Sequence, residues 1–357
     1  MTPPTTIQDV ARQAGVSVAT VSRVLNGKAS VDPELAVRVR AAVLQSGYSP
    51  SRVARSLRRR TSQSWALIIP DVGNWFYTAL ARGVEDVAHT AGSSVYLCNS
   101  DDDLDKERHY LSVALAEHVA GIILAPASGT SDLSLVRASG TPVVTVDRRI
   151  EDEDVDSVVV QNAEAAEAAT EHLLAGGYER VACIVGPASA TTSQERAAGY
   201  LRALARLRGG TEGACVVHTD FRFAGGYAAV QQLAALPEPP DALLLGNNAV
   251  ALGALERIGE DPGALPRHIG LLAFDDAPWF RLVRPRLSAV VQPTYEIGHV
   301  AGELLRDLIA GRRGAPRHHE LATRLELRES SQPAGAVRPR PPLDPREHGQ
   351  RVPLDAP

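Results

Sequence analysis

The sequence predicts a small all-α helix-turn-helix head followed by an α/β body of two doubly wound parallel-sheet subdomains. Three observations carry this. Residues 5–46 show helical periodicity with no strand-like run. From residue 65 to about 327, short β-branched or aliphatic runs alternate with helix-length amphipathic segments, as in strands buried on both faces and joined by helices. The charge is also divided. Residues 1–60 hold Lys28 and nine arginines against Asp9, Asp32 and Glu34, a balance of +7, whereas the other 297 residues carry −12. A basic head on an acidic body suggests a polyanion-binding module joined to something with another job, although a solvated basic face has the same composition.

The length of 357 residues, 44% of them hydrophobic, is enough for two or three domains with a real core. No run approaches the roughly 18 apolar residues of a membrane span. The opening Met1-Thr2-Pro3-Pro4 has neither a basic nor an apolar export segment, so a cytoplasmic protein without membrane contact is expected. Cys98, Cys183 and Cys215 are far apart, lack a CxxC pairing and read as free thiols.

In the body, ten strand-like runs are expected: Trp65–Pro70, Val95–Cys98, Gly121–Ala125, Pro142–Val146, Ser157–Val160, Val181–Val185, Ala214–Val217, Ala242–Leu245, Ile269–Phe274 and Ser288–Val291. Amphipathic stretches such as Leu80–Ala91, Ala163–Ala175, Gln194–Leu207 and Tyr295–Ile309 separate them. Ten strands exceed a comfortable open sheet, so the reading is two subdomains with a cleft between them. The expected boundaries are a head at 1–47, a hinge at 48–61 and a body at 62–330. Within the body, one subdomain takes about 62–160 plus 292–320 and the other about 161–291. The tail 331–357 has seven prolines and only four Val or Leu, too little to bury a core, and is expected to be disordered.

Three helices are expected in the head: Ile7–Gln13, Val18–Leu25 and Pro33–Gln45, the last opened by Asp32-Pro33 and closed at Gly47. The first two read as a helix-turn-helix. Gly15 permits the positive φ of the tight turn, Ser17 caps the second helix, and Val10, Val16, Val21 and Leu25 form the seam. Val18, Ala19, Ser22 and Arg23 are left to face a major groove. Arg23 can donate two bonds to a guanine edge, and Val18 and Ala19 can meet thymine methyls. Thr6, Ser17, Thr20, Ser22 and Asn26 can donate to phosphates. Singly, each has a plainer reading as core or solvated surface; the charge, turn and cap together favour DNA.

The stretch Tyr48-Ser49-Pro50-Ser51-Arg52-Val53-Ala54-Arg55-Ser56-Leu57-Arg58-Arg59-Arg60 reads as a short hinge helix, too short to be stable alone and so expected to order on DNA. Val53, Ala54 and Leu57 share a face, and Leu57 suits a wedge between minor-groove base steps. Tyr48 and Arg52 belong to the same DNA-contacting segment. A basic linker is the plainer alternative.

On the block Thr6–Asn26, the segment Gly47–Leu57, and the downstream blocks Ile69-Pro70-Asp71, Leu97–Asp101, Gly121–Leu124, Pro142–Arg148, Glu171–Leu174 and Phe274-Asp275-Asp276, the chain resembles the lactose/galactose repressor family of bacterial transcription regulators over about residues 5–328. The resemblance implies that Val18, Ala19 and Arg23 read operator bases in double-stranded DNA and that Leu57 is the inserted hinge leucine. It also implies a body like a periplasmic sugar-binding protein. The family's leucine-heptad tetramerisation segment has no counterpart here, so a homodimer is expected.

Apart from the resemblance, polar and aromatic residues gather just after strand ends, where open α/β sheets hold ligands. These are Asn74–Tyr77, Asp147-Arg148-Arg149, Arg196, Phe221, Asn247-Asn248 and Asp275-Asp276. Arginine, carboxylate and amide groups can pair with vicinal hydroxyls while an aromatic face packs on a sugar ring; taken one by one, the same residues can be surface pairs or turn caps. The resemblance implies that Asp147, Arg196, Phe221, Asn247 and Asp275 touch a small-molecule effector, with Trp75, Phe76 and Tyr77 lining the pocket. A carbohydrate is the expected effector, and a purine-like co-repressor is the alternative. One departure stands out: the family usually has Ala-Asn-Asp where this chain has Gly246-Asn247-Asn248.

A free-standing solute-binding protein would need only the body, and the head argues against it. An enzyme is not expected, because no GxSxG, P-loop, GxGxxG after a strand or HExxH is present. No cofactor or metal is expected, and His318-His319, beside Arg317 and Glu320, reads as solvated.

Overall fold

The computed structural model describes residues 5–25, 31–48, 63–151, 154–263, 265–266, 268–312 and 314–332. It divides into two compact units, Met1–Gln63 and Ser64–Pro357. Asn26, Arg52, Val53, Ala54 and Leu57, expected on the DNA face or in the hinge, lie outside the described residues, as does the tail from Pro333 onward.

The head has three helices, α1 (Ile7–Ala14), α2 (Val18–Leu25) and α3 (Pro33–Ser46). Each start follows from a side chain. The Asp9 N–H donates to Thr6 Oγ1 while the Thr6 N–H donates to Asp9 Oδ2, a reciprocal cap for α1. The Thr20 N–H donates to Ser17 Oγ, and the Glu34 N–H to Asp32 Oδ1, with Pro33 at the first turn of α3. Gly15 turns the chain between α1 and α2 at φ +65°, a conformation strained for any residue with a Cβ. Val10, Ala11, Ala14, Val21, Val24, Val39 and Ala42 form the core, with Val16, Leu25 and Tyr48 packed at its edge.

The body contains, among the described residues, twelve strands: β1 (Ser64–Ile69), β2 (Ser94–Asn99), β3 (Gly121–Leu124), β4 (Val143–Val146), β5 (Asp156–Val160), β6 (Val181–Val185), β7 (Cys215–His218), β8 (Ala242–Leu245), β9 (Gly270–Phe274), β10 (Ser288–Val291), β11 (His318–Leu321) and β12 (Arg324–Glu326). They make two six-stranded sheets, ordered β11-β5-β4-β3-β1-β2 and β12-β10-β9-β8-β6-β7. Among the described residues every strand pairing is parallel except that of β10 with β12. Alternate residues of a strand feed opposite cores, as the two-residue period of a strand requires. In β1, Trp65, Leu67 and Ile69 enter one cluster, and Ala66 and Ile68 the other; in β6, Ala182 and Ile184 separate from Val181, Cys183 and Val185 in the same way.

Two strands were not expected. His318–Leu321 is the edge strand beside β5, with His318 Nδ1 2.9 Å from Ser157 Oγ; His318 and His319 are exposed on it, as the reading of a solvated pair expects. Its neighbour Arg324–Glu326 returns to the second sheet. The chain therefore passes between the sheets three times: after β5, at Gln292-Pro293 after β10, and between β11 and β12. The tail also begins later than composition suggests. Ser331 is buried, its Oγ 2.8 Å from His172 Nε2 and 2.7 Å from Ser288 Oγ, and the Gln332 carbonyl accepts from the Tyr178 hydroxyl. Local hydroxyl pairing, invisible in composition, holds these residues.

The strand ends are kept in place by close helix pairs. The helix Trp75–Thr90 packs on Thr294–Ile309 so tightly that a Cβ on Gly298 would collide with the Leu80 carbonyl. That contact fixes the helix whose first turn carries Phe76 and Tyr77.

Candidate functional site

On the head, the apolar side of α2 is spent on the core through Val21 and Val24. Residues 18, 19, 22 and 23 share its other side by helical spacing. Val18, Ala19 and Arg23 are exposed there and Ser22 is half-buried. Thr6 stands apart: its hydroxyl donates to Asp9 Oδ2 at 2.6 Å, so the proton offered in the sequence reading to a phosphate is engaged in the cap. The Thr20 and Ser17 hydroxyls lie 2.9 Å apart, and the Tyr48 ring rests partly on the core. Arg38 belongs to neither group. Its Nη2 donates to the Ala14 and Gly15 carbonyls at 2.5 and 3.2 Å, closing the C-terminus of α1.

In the body, a nearly closed cleft with a cavity of about 30 Å³ lies at the C-terminal ends of the strands, where open α/β sheets hold ligands. Asp147, Arg196, Phe221, Asn247 and Asp275 all line it, with Phe76, Tyr77, Asn74, Asp102, Arg148, Thr192 and Gln292. Asp147 and Asp275 each follow the last residue of a strand, β4 and β9, at φ +66° and +71°. Their carboxylates are thereby turned into the cleft from strained positions.

The first sheet supplies Asp147, whose Oδ2 accepts from the Tyr77 hydroxyl at 2.8 Å. Burial pushes the Asp147 carboxyl above its ordinary value against the pull of Arg148 and Arg196. Arg148 donates to Asp102 Oδ1 at 2.5 Å and to the Pro126 carbonyl at 3.0 Å, and its guanidinium lies 5.4 Å from the Phe221 ring centre. The helix Thr191–Arg208, which follows β6 of the second sheet, supplies Arg196, which donates to Asn162 Oδ1 at 2.9 Å and to the Gly246 carbonyl, and stacks 4.1 Å from the Phe274 ring centre. Burial draws Arg196 below its ordinary value despite Asp147 and Asp275. Asn247 caps the helix Asn248–Glu260 through the Val250 N–H and donates to the Phe221 carbonyl at 3.0 Å, tying the aromatic face to the amide. Asp275 accepts from Gln292 Nε2 at 2.6 Å and from Asn248 at 2.8 Å.

Two fully buried oxygens on the cleft-lining residues, Thr192 Oγ1 and Gln292 Oε1, have no protein hydrogen-bond partner, the condition in which a ligand hydroxyl completes the pairing. Carboxylate, guanidinium, amide and hydroxyl groups around the Phe221 face can thus take a small ligand rich in both donors and acceptors.

Trp75 corrects the sequence reading. It is 55% exposed and outside the lining, because successive helix residues diverge by about 100° and only Phe76 and Tyr77 of the three turn inward. Arg149 and Asp276 also point elsewhere, to Glu320 and Arg328.

Residues 6–51 match the family described as bacterial regulatory proteins, lacI family, and residues 170–331 match a periplasmic binding protein-like domain. The ribose operon repressor of Halalkalibacterium halodurans is 36% identical over 331 residues, 92% of this chain and 97% of its own length. The chain belongs to the lacI family. Among solved structures, a complex of the transcriptional regulator CelR with cellobiose is 28% identical, with a TM-score of 0.68 over 91% of this chain and 99% of its own. The Lac repressor dimer bound to operator and an anti-inducer, 24% identical, reaches a TM-score of 0.81 over 92% and 99% and supports the fold. This lacI-family chain is therefore a bacterial transcription regulator with a DNA-binding head and a periplasmic-binding-protein-like body. No helix among its described residues is long and apolar enough to cross a membrane.

Within this lacI-family cleft, Thr192, Gln292 and Asp102 escaped the sequence reading. Thr192 and Asp102 sit in polar segments like any other surface stretch, and Gln292 follows an apolar run directly. Only the strand-end position after β10 signals Gln292.

Proposed function

We propose that this regulator is a cytoplasmic, homodimeric repressor whose affinity for operator DNA is set by a carbohydrate held in the cleft, and that it performs no catalysis. Val18, Ala19 and Arg23 read bases, Ser17, Thr20, Ser22 and Asn26 approach phosphates, and the segment from Tyr48 through Arg52, Val53, Ala54 and Leu57 enters the minor groove. Asp147, Arg196, Asn247 and Asp275 bind ring hydroxyls, Phe221 packs on the C–H face, and Phe76 and Tyr77 complete the wall.

The observation that carries this reading is the convergence of two buried carboxylates, a buried guanidinium, an amide and an aromatic face on one cleft. The ribose and cellobiose in the names of the relative and the solved complex favour a sugar over a purine.

The test has two arms. Selection of a duplex from a random pool, followed by titration against a scrambled duplex at the same salt, should show at least about a thousandfold preference; equal affinity overturns the DNA reading. A thermal-shift screen of sugars and nucleobases should find a stabilising sugar, worth about 2.7 kcal/mol at ~100 times its dissociation constant. Stabilisation by a nucleobase alone overturns the carbohydrate assignment.

A further inference from the structure

Asn248, where the chain departs from the family pattern, bonds to both walls of the cleft. Its backbone N–H and its Nδ2 donate to Asp275 Oδ2, at 3.1 and 2.8 Å, beside the second sheet. The same Nδ2 donates at 2.7 Å to Oδ1 of Asn74, which follows β1 of the first sheet. All three side chains are buried, with Asn248 4% and Asn74 6% exposed.

The direction of these bonds is forced. Asn74 Oδ1 already accepts the Phe76 N–H at 2.9 Å, capping the helix Trp75–Thr90, so turning the Asn74 amide over would lose the cap. Asp275 offers only acceptors. Position 248 thus faces two acceptor oxygens and needs two N–H donors on one nitrogen, which an asparagine supplies. An aspartate has the same shape but would set a carboxylate against the Asp275 carboxylate and the Asn74 carbonyl, both already acceptors.

The geometry points to Asn248 as a positioning residue: its neutral amide clasps the two walls of the cleft and makes the closed cleft the resting state of the ligand-free regulator. It also orients Asp275, jointly with Gln292, toward the ligand space. The link to effector binding rests on the cleft reading above; the clasp itself does not.

Two further contacts cross the same cleft and report its closure at a distance. The Gly129 N–H donates to the Ser189 carbonyl at 2.9 Å, from the end of β3 to the end of β6. Arg222 donates to the Asp101 carbonyl at 3.1 Å.

The experiment is amide hydrogen exchange on the full-length protein without ligand, read at Gly129. In Asn248→Asp this amide should exchange at least about fivefold faster than in wild type, and in Asn248→Ala by a smaller factor, because alanine removes the bridge without adding repulsion. Asn74→Asp makes the same chemical change on the other side of the bond. It keeps both the helix cap and an acceptor for Asn248, so Gly129 should stay within about twofold of wild type. Equal exchange in Asn248→Asp and wild type, a larger effect of alanine than aspartate, or equal effects of the two aspartates overturns the clasp. If Asn248→Asp does not fold, unchanged Gly129 exchange in Asn248→Ala overturns it. Addition of D-ribose to each protein forms the second arm. A lack of response in every variant counts against D-ribose as effector alone, whereas the ordering of the ligand-free rates decides the clasp.

Discussion

The Tyr77 hydroxyl donates to Asp147 Oδ2 at 2.8 Å, in a buried bond between the first turn of a helix and the strained residue that directly follows β4. Burial raises the Asp147 carboxyl, and this bond is one of the contacts that hold it down. Tyr77→Phe keeps the ring against Phe76, whose centre lies 5.0 Å away, and removes only the donor. A hydrogen bond to a charged group contributes about 1.5–3 kcal/mol, so the variant should lose roughly that much stability in denaturant titration at neutral pH. Unchanged stability would show that this bond does not hold the Asp147 carboxylate in place.

Arg328 makes a two-pronged pair with Asp276, both bonds 2.8 Å, next to the cleft carboxylate Asp275. Burial by itself would push the Asp276 carboxyl up, but the hydrogen bonds and charges of Arg328 and Arg281 outweigh it and hold it below its ordinary 3.8. Removing one partner of a buried pair costs about 3–5 kcal/mol, the expected loss in Arg328→Ala at neutral pH. A carboxyl depressed in the native state stabilises above its unfolded value and loses that contribution as pH falls through the native one. The stability gap between wild type and variant should therefore be full near pH 7 and shrink below about pH 4. A gap constant with pH in denaturant titrations would contradict the pairing.

Arg23 and Arg38 look alike in the sequence but should fail differently. Arg23→Ala should leave melting unchanged and cost about 1–3 kcal/mol of operator affinity if it reads a base. Arg38→Ala loses its bonds to the Ala14 and Gly15 carbonyls, so the head should lose about 1 kcal/mol of stability. Circular-dichroism melting and fluorescence anisotropy separate the two; the reversed pattern would exchange their roles.

Most of the fold was legible because buried strands announce themselves. Ile68 or Cys183 sits in an apolar run that only a strand covered on both faces tolerates. The strands His318–Leu321 and Arg324–Glu326 are edges, largely exposed and polar, and carry no such signal. In the cleft, Asp147 and Asp275 were visible because they end such runs. Asp102 and Thr192 were not, because their place in the wall depends on loops from distant parts of the chain. The exposure of Trp75 beside buried Phe76 and Tyr77 is likewise a matter of helix phase, which composition does not record.

The three passages of the chain between the sheets restrict how the body can deform. One connecting strand would let the halves swivel about its axis; three resist torsion and leave bending as the soft motion. Gln292 lies on one of these connections and bonds Asp275 directly. A group that drew on Asp275 would therefore pull on one of the three connections that set this bend.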